Sequence, residues 1–305
     1  MKVLISGATG LVGTEIVEKC LAKNYAVHYL TTNRDKIVSN DNFKGFYWNP
    51  KTREIDTTCL DGVDVIINLA GASISKKWST SHKKAILNSR IDSIQLLHQL
   101  LSENTHTVKH ICSASALGIY PSSLTKKYDE SDTEVNTSFL GEVVDAWENE
   151  VDSFQSLDLK ITKIRIGIVL SKNGGALTEM VKPVKLGAAA ALGSGKQFQS
   201  WIHVSDLANL FVFSIEKQLT GVYNAVASEP VTNKEMTKVI AKELHKPFIL
   251  PNVPAFMMKL MLGEMSAIVL ESQYLKNNKI KNEGFEFEYD TLEAALKECL
   301  GEVPL

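Results

Sequence analysis

Long hydrophobic runs are missing: no apolar stretch approaches the ~18 residues that a membrane-spanning helix requires, and no charged leader precedes the first candidate strand at Lys2. These absences lead us to expect a cytoplasmic protein with no membrane partner. Charge of one sign is not in excess either. The 33 basic and 35 acidic side chains leave a net charge of −2, too little to favour nucleic acid. Cysteine is sparse. Cys20, Cys59, Cys112 and Cys299 have no paired spacing, which removes zinc-knuckle and disulfide-framework patterns and leaves no metal site to expect. No internal repeat, low-complexity tract or long linker interrupts the chain. What is present is 305 residues of 44% hydrophobic content, enough for an ample core, so the expected partner is a small polar molecule.

Short apolar runs alternate with longer segments of helical period. Lys2–Ser6, Ala26–Leu30, Val63–Leu69, Lys109–Ser113 and Lys160–Ile168 read as strands, and Leu11–Lys23, Ser79–Glu103 and Ser138–Phe154 as helices. Strand–helix units of this kind predict an α/β fold, a doubly wound parallel sheet covered on both faces. After Leu170 the texture changes to a Gly/Ala-rich stretch, a helix starting near Asp206 and a Met-rich tail from Pro251. The expected division is a larger α/β domain over 1–170, with 200–226 returning to it, and a smaller C-terminal α+β substrate-side domain over 171–305. The Met-rich helix Ala255–Leu262 reads equally as core, as a substrate lid or as the face of a homodimer.

Strand Lys2–Ser6 runs directly into Gly7-Ala8-Thr9-Gly10-Leu11-Val12-Gly13 and then a helix. Three glycines at a strand-to-helix turn are the dinucleotide fingerprint of a Rossmann-type fold. Gly7 permits the tight turn, Gly10 the close approach of a pyrophosphate, and Gly13 the packing of helix on strand, while the helix N-terminus offers free N–H donors. About twenty residues on, where an Asp or Glu would take the 2′-hydroxyl of NAD, the chain has Thr31-Thr32-Asn33-Arg34. A carboxylate would repel a 2′-phosphate, whereas Arg34 can pair with it through a charge-assisted fork and Asn33 can donate beside it. The expected cofactor is NADP(H). Asp35 keeps NAD open, and a solvated charge is the plain alternative for Arg34.

These glycines, Asn68-Leu69-Ala70-Gly71, and Ser113-Ala114-Ser115-Ala116 followed by Tyr120 together resemble the extended or atypical short-chain dehydrogenase/reductases. The resemblance is strongest to their nucleotide-sugar-epimerase-like branch, the epimerase family. Asn88-Ser89-Arg90, Arg165-Ile166-Gly167-Ile168-Val169-Leu170, Trp201-Ile202-His203-Val204-Ser205-Asp206 and Gly263-Glu264-Met265-Ser266 extend it over essentially the whole chain. It implies a cofactor lying across Gly7, Thr9, Gly10, Leu11 and Val12, with Asn33 and Arg34 at the 2′-phosphate. Leu69, Ala70 and Gly71 would line its middle, and Arg90 would reach it from the long helix. Ser115 would be the serine that hydrogen-bonds the reacting oxygen of a substrate such as a nucleotide sugar. Plainer alternatives are core packing for Leu69 and Ala70, a surface ion pair for Arg90, and a small residue at a crowded strand end for Ser115.

The resemblance breaks at proton transfer. Relatives normally use a Tyr as general acid/base and a Lys one helical turn later. Measured back from Trp147-Glu148, those positions hold Leu140 and Val144, part of an apolar stripe with Trp147 and Val151. The only Tyr-x-x-x-Lys spacing in the chain, Tyr47 to Lys51, contains Pro50 and precedes the fourth strand, so it is no turn of that helix. Tyr120 then becomes the first candidate to move a proton, ahead of Glu142 and His203. Asp206, before the periodic Leu207-Ala208-Asn209-Leu210-Phe211, reads as a helix N-cap rather than a partner of His203. Gly193-Ser194-Gly195-Lys196-Gln197 fails the phosphate-loop motif at both ends. Two function classes stay open: an NADP(H)-dependent oxidoreductase or epimerase-like enzyme, and a non-catalytic NADP(H)-binding sensor or partner-binding protein, extending to a role in cell division.

Overall fold

The computed structural model describes residues 1–301. Strand β1 (Lys2–Ser6), helix α1 (Leu11–Ala22) and strand β2 (Ala26–Thr31) follow one another with short connections. Val3, Leu4 and Ile5 are wholly buried, as a strand covered on both faces requires. The sheet continues with β3 (Phe43–Asn49), β4 (Val65–Asn68), β5 (His110–Ala116), β6 (Lys160–Ile166) and β7 (Gly221–Ala225). Helix α2 (Thr80–Glu103) stands between β4 and β5 in the chain, and α3 (Phe139–Asp152) between β5 and β6.

The strand order is β3-β2-β1-β4-β5-β6-β7. β1 pairs in parallel with β2 on one side and β4 on the other, and the β2–β3 and β4–β5 pairs are parallel too. The chain winds outward in both directions from β1, so the carboxyl ends of β1 and β4 form the switch point at which Rossmann-type sheets hold ligands. Ser39–Asn40 and Glu54–Ile55 add short antiparallel pairings to β3, so that this sheet has nine strands among the described residues.

Two expectations need correcting. Phe43–Asn49 is a strand that the sequence reading passed over, and its Gly45 lies against the Tyr29 ring, where a Cβ would come within 2.5 Å. The run Lys160–Ile168 is not one strand. It breaks at Gly167, where a Cβ would meet the Ser200 carbonyl oxygen at 2.6 Å, and Ile168–Leu170 pairs instead with Trp201–His203.

The chain divides into two compact units. The first holds residues 1–119, 137–165 and 208–223, and the second 120–136, 166–207 and 224 onward. Segment 120–136, inside the expected first domain, therefore belongs to the second unit. That unit has its own core, built from Leu177 and Val181 of α4 (Ala176–Lys185), Met236 and Ile240 of α6 (Asn233–Glu243), Trp201, and Leu292 and Leu296 of the helix Leu292–Leu300. Helix α5 (Val204–Glu216) starts two residues before Asp206, so Asp206 lies in its first turn and is not its cap. No helix among the described residues is long and apolar enough to cross a membrane.

Candidate functional site

The glycine turn follows from steric necessity at two of its positions. Gly7 has φ +73°, and a Cβ on it would lie 3.1 Å from the Leu69 carbonyl. A Cβ on Gly13 would lie 2.2 Å from the Gly7 carbonyl oxygen, so α1 can pack on β1 only without one. Helix α1 begins on Gly10, with no side-chain cap and no acid in its first turn. The Thr14 hydroxyl bends back to donate to the Gly10 carbonyl at 3.0 Å.

A serine hub holds the neighbouring strand ends. Ser6 Oγ donates to Asn68 Oδ1 at 2.6 Å and accepts the N–H groups of Leu69 and Ala70 at 3.1 and 3.2 Å. Asn68 Nδ2 donates onward to Ser113 Oγ at 3.3 Å. Gly7 and Leu69–Gly71 are thereby brought together at the switch point. Gly71 is exposed and faces Arg90, whose guanidinium carbon would be 3.1 Å from a Cβ there. Among the described residues Arg90 is not the partner of a surface carboxylate. It donates to the carbonyls of Ile86 (2.9 Å) and Ala72 (3.3 Å) and lies over the Trp147 ring at 4.9 Å.

The loop after β2 is braced from below. Asn33 caps a short helical turn, Arg34–Lys36, by accepting the Asp35 N–H at 2.9 Å. The Tyr29 hydroxyl donates to the Lys36 carbonyl (2.7 Å) and accepts the Val38 N–H (2.8 Å). Asn33 and Arg34 are exposed, and the Arg34 guanidinium lies 3.6 Å from the centre of the Tyr47 ring.

Ser115, buried at the end of β5, donates to Glu148 Oε1 at 2.5 Å. Glu148 is gripped by Arg165 through Nε and Nη2, both at 2.8 Å, with Lys163 3.9 Å away. Burial alone would raise the Glu148 carboxyl, but the Arg165 fork, together with the Ser115 hydrogen bond and the Lys163 charge, outweighs it and holds the group below the usual carboxylate range. One turn and two turns earlier on the same face of α3 stand Val144 and Leu140, packed over Gly118, where a Cβ would lie 3.2 Å from Leu140 Cβ. Glu148 and Arg165 escaped the sequence reading as a pair. The available signal was an acid inside the apolar stripe of α3.

Tyr120 falls in the second unit and is buried, its hydroxyl donated to Asn224 Oδ1 at 2.8 Å. His203, also buried there, accepts the Ser205 N–H at Nδ1 and lies 2.9 Å from Glu298 through Nε2. Asp206 accepts the N–H groups of Glu288 and Tyr289 at 2.8 and 2.9 Å, one on each carboxylate oxygen, so it is not the cap of α5. His203, Glu298 and Cys299 come close enough to hold a cation, yet the Lys172 ammonium already pairs with Glu298 at 3.0 Å. Glu142 is exposed on α3.

Sheet order, switch point and glycine turn define a Rossmann-type α/β protein of the short-chain dehydrogenase/reductase kind. Residues 3–225 match the NAD dependent epimerase/dehydratase family, and residues 253–299 match a domain of unknown function. The chain belongs to that epimerase/dehydratase family. An epimerase family protein of Staphylococcus aureus is 34% identical over 304 residues, covering 98% of this chain and 99% of the relative. One from Staphylococcus haemolyticus is 36% identical over 299 residues, covering 97% and 98%. Among solved structures, human epimerase family protein SDR39U1, crystallised with NADPH, superposes with a TM-score of 0.85 at 26% identity, covering 99% of this chain and all of that one. A nucleoside-diphosphate sugar epimerase from Corynebacterium glutamicum superposes at 0.79 and 28% identity, over 99% of this chain and 58% of that one.

Proposed function

We propose that the chain is an NADP(H)-binding, epimerase-like protein whose chemistry, where it acts as an oxidoreductase, does not run through a tyrosine–lysine pair. The observation that carries this reading is Arg34, an exposed guanidinium on the loop where a carboxylate would select NAD. The donor set fits a phosphorylated dinucleotide: an uncapped, acid-free helix N-terminus, a Cβ-free approach at Gly10, and an arginine whose face is stacked but whose N–H edges stay available. The human relative, solved with NADPH, supports the same polarity, and the Corynebacterium protein supports a nucleotide sugar as substrate class.

A nicotinamide supplies or accepts hydride when bound. The chain's own residues would orient a substrate oxygen and handle its proton, and Leu140 and Val144 can do neither. A second reading, a non-catalytic NADP(H) sensor or partner-binding protein, is favoured by the inward commitment of both candidate hydroxyls, Ser115 to Glu148 and Tyr120 to Asn224.

The test is a titration of NADPH and NADH into the purified protein and into Arg34→Ala, followed by single-turnover assays with sugar-nucleotide and carbonyl substrates. NADPH binding that exceeds NADH binding at least tenfold and loses that margin in Arg34→Ala is expected, in line with the ~1.5–3 kcal/mol of a charge-assisted contact. Turnover that collapses in Ser115→Ala supports the enzyme, and tight NADPH binding with no turnover supports the sensor. Equal binding of both dinucleotides overturns the cofactor assignment.

A further inference from the structure

The tyrosine of the discarded Tyr47-x-x-x-Lys51 spacing has a place in the cofactor site that the proton-transfer motif would not give it. Tyr47 lies on β3 directly across from Thr31, the last residue of β2, so it stands at the root of the loop that carries Asn33 and Arg34. That loop is fixed on its other side by the Asn33 cap and by the two hydrogen bonds of the Tyr29 hydroxyl. Between these braces the exposed Arg34 guanidinium sits 3.6 Å from the centre of the half-buried Tyr47 ring, well inside the distance at which a ring quadrupole attracts a cation. Stacking occupies the flat face of a guanidinium and leaves its five N–H groups pointing outward in the plane, the direction from which they fork onto phosphate oxygens. An exposed arginine otherwise loses much rotamer freedom when it captures an anion, and a ring that already restrains it lowers that loss.

We propose that Tyr47 is a specificity-determining residue for the 2′-phosphate of NADP(H), acting as a positioning residue that holds Arg34 in its phosphate-binding plane. The proposal rests on the NADP(H) reading above. It assigns the selectivity of the loop to a pair of side chains on two different strands, and it predicts that the selectivity changes without any contact between Tyr47 and the phosphate.

The experiment measures NADPH and NADH dissociation constants for the wild type, Tyr47→Phe, Tyr47→Leu, Arg34→Ala and the Arg34→Ala/Tyr47→Leu double variant. Thermal melts confirm that each is folded. Tyr47→Leu should weaken NADPH about two- to fivefold, the range of an exposed cation–π contact, with NADH unchanged. Tyr47→Phe keeps the ring and should bind as the wild type does. In the Arg34→Ala background the Tyr47→Leu change should add nothing, because the ring acts only through the arginine. NADPH selectivity that disappears in Arg34→Ala but is intact in Tyr47→Leu overturns the positioning role alone, as does an equal loss of both dinucleotides in Tyr47→Leu. A wild type that binds NADH as well as NADPH overturns the cofactor reading and this proposal with it.

Discussion

His110 on β5 is held as a neutral imidazole by its hydrogen bonds. Its Nε2 is 2.8 Å from the Thr162 hydroxyl oxygen, and the Thr162 hydrogen goes to the Leu219 carbonyl, so Nε2 is the donor and carries the ring's proton. Nδ1 has no hydrogen-bond partner among the described residues, and a second proton there would be buried without an acceptor. Burial, aided by the charge of Lys160, pushes the group from 6.5 down to about 4. The unfolded chain therefore takes up a proton that the folded one refuses. This contribution to stability is complete above pH 6.5 and shrinks as the pH falls towards 4, by about 3 kcal/mol at the lower end. Urea unfolding at about pH 7.5 and about pH 4.5 should show a loss in the wild type that is much smaller in His110→Gln; an equal loss in both would assign it to other groups. At this scale the sequence is legible where a residue's chemistry is local, as at Gly7 and Gly13. It is opaque where partners meet across the chain. Ser115, Glu148 and Arg165 form one network only because α3 lies along β5 and β6, and nothing in their spacing announces it.

The strand–turn–helix element from β1 into α1 separates folding from binding between two glycines. Gly13 has no room for a methyl group, since its Cβ would sit 2.2 Å from the Gly7 carbonyl oxygen in the middle of the helix–strand contact. Gly10 meets that same oxygen only at 3.3 Å, and its φ of −87° suits any residue. Gly13→Ala should lower stability by about 3 kcal/mol, the upper end of overpacking costs, while Gly10→Ala should stay within about 1 kcal/mol of the wild type. NADPH affinity should fall tenfold or more in Gly10→Ala even though it folds. Denaturant melts beside dinucleotide titrations check this, and a Gly10→Ala protein that binds normally would detach Gly10 from the pyrophosphate. Elements bounded by strong signals were readable: β1 has the expected limits, and α2 and α3 differ from theirs by one or two residues at an end. The strand β3 was not, because Gly45 and Pro50 mimic turn punctuation. Gly45 is there to admit the Tyr29 ring, which only the β2–β3 register explains.

Across the whole molecule, hydrophobic content is not confined to the interior. The second unit carries its apolar excess on α7 (Ala255–Leu262), whose limits coincide with the sequence reading because Pro254 precedes it and Gly263, at φ +59°, ends it. Of the three roles left open for this helix, core packing does not describe its outer face. Phe256, Leu260 and Met261 are 69%, 85% and 73% exposed, and only Met258, at 8%, is sunk into the unit. Burial rather than residue type decides what each side chain contributes, so two apolar neighbours on one helix should respond oppositely to truncation. Met258→Ala should cost about 2 kcal/mol or more through the lost contacts and the cavity. Leu260→Ser and Phe256→Ser should each stay within about 0.5 kcal/mol of the wild type, as surface changes do. Melts of the three variants at low protein concentration decide the matter. A Leu260→Ser loss matching that of Met258→Ala would mean that the outer face is covered in solution, and the exposure of α7 would then be a property of the isolated chain alone.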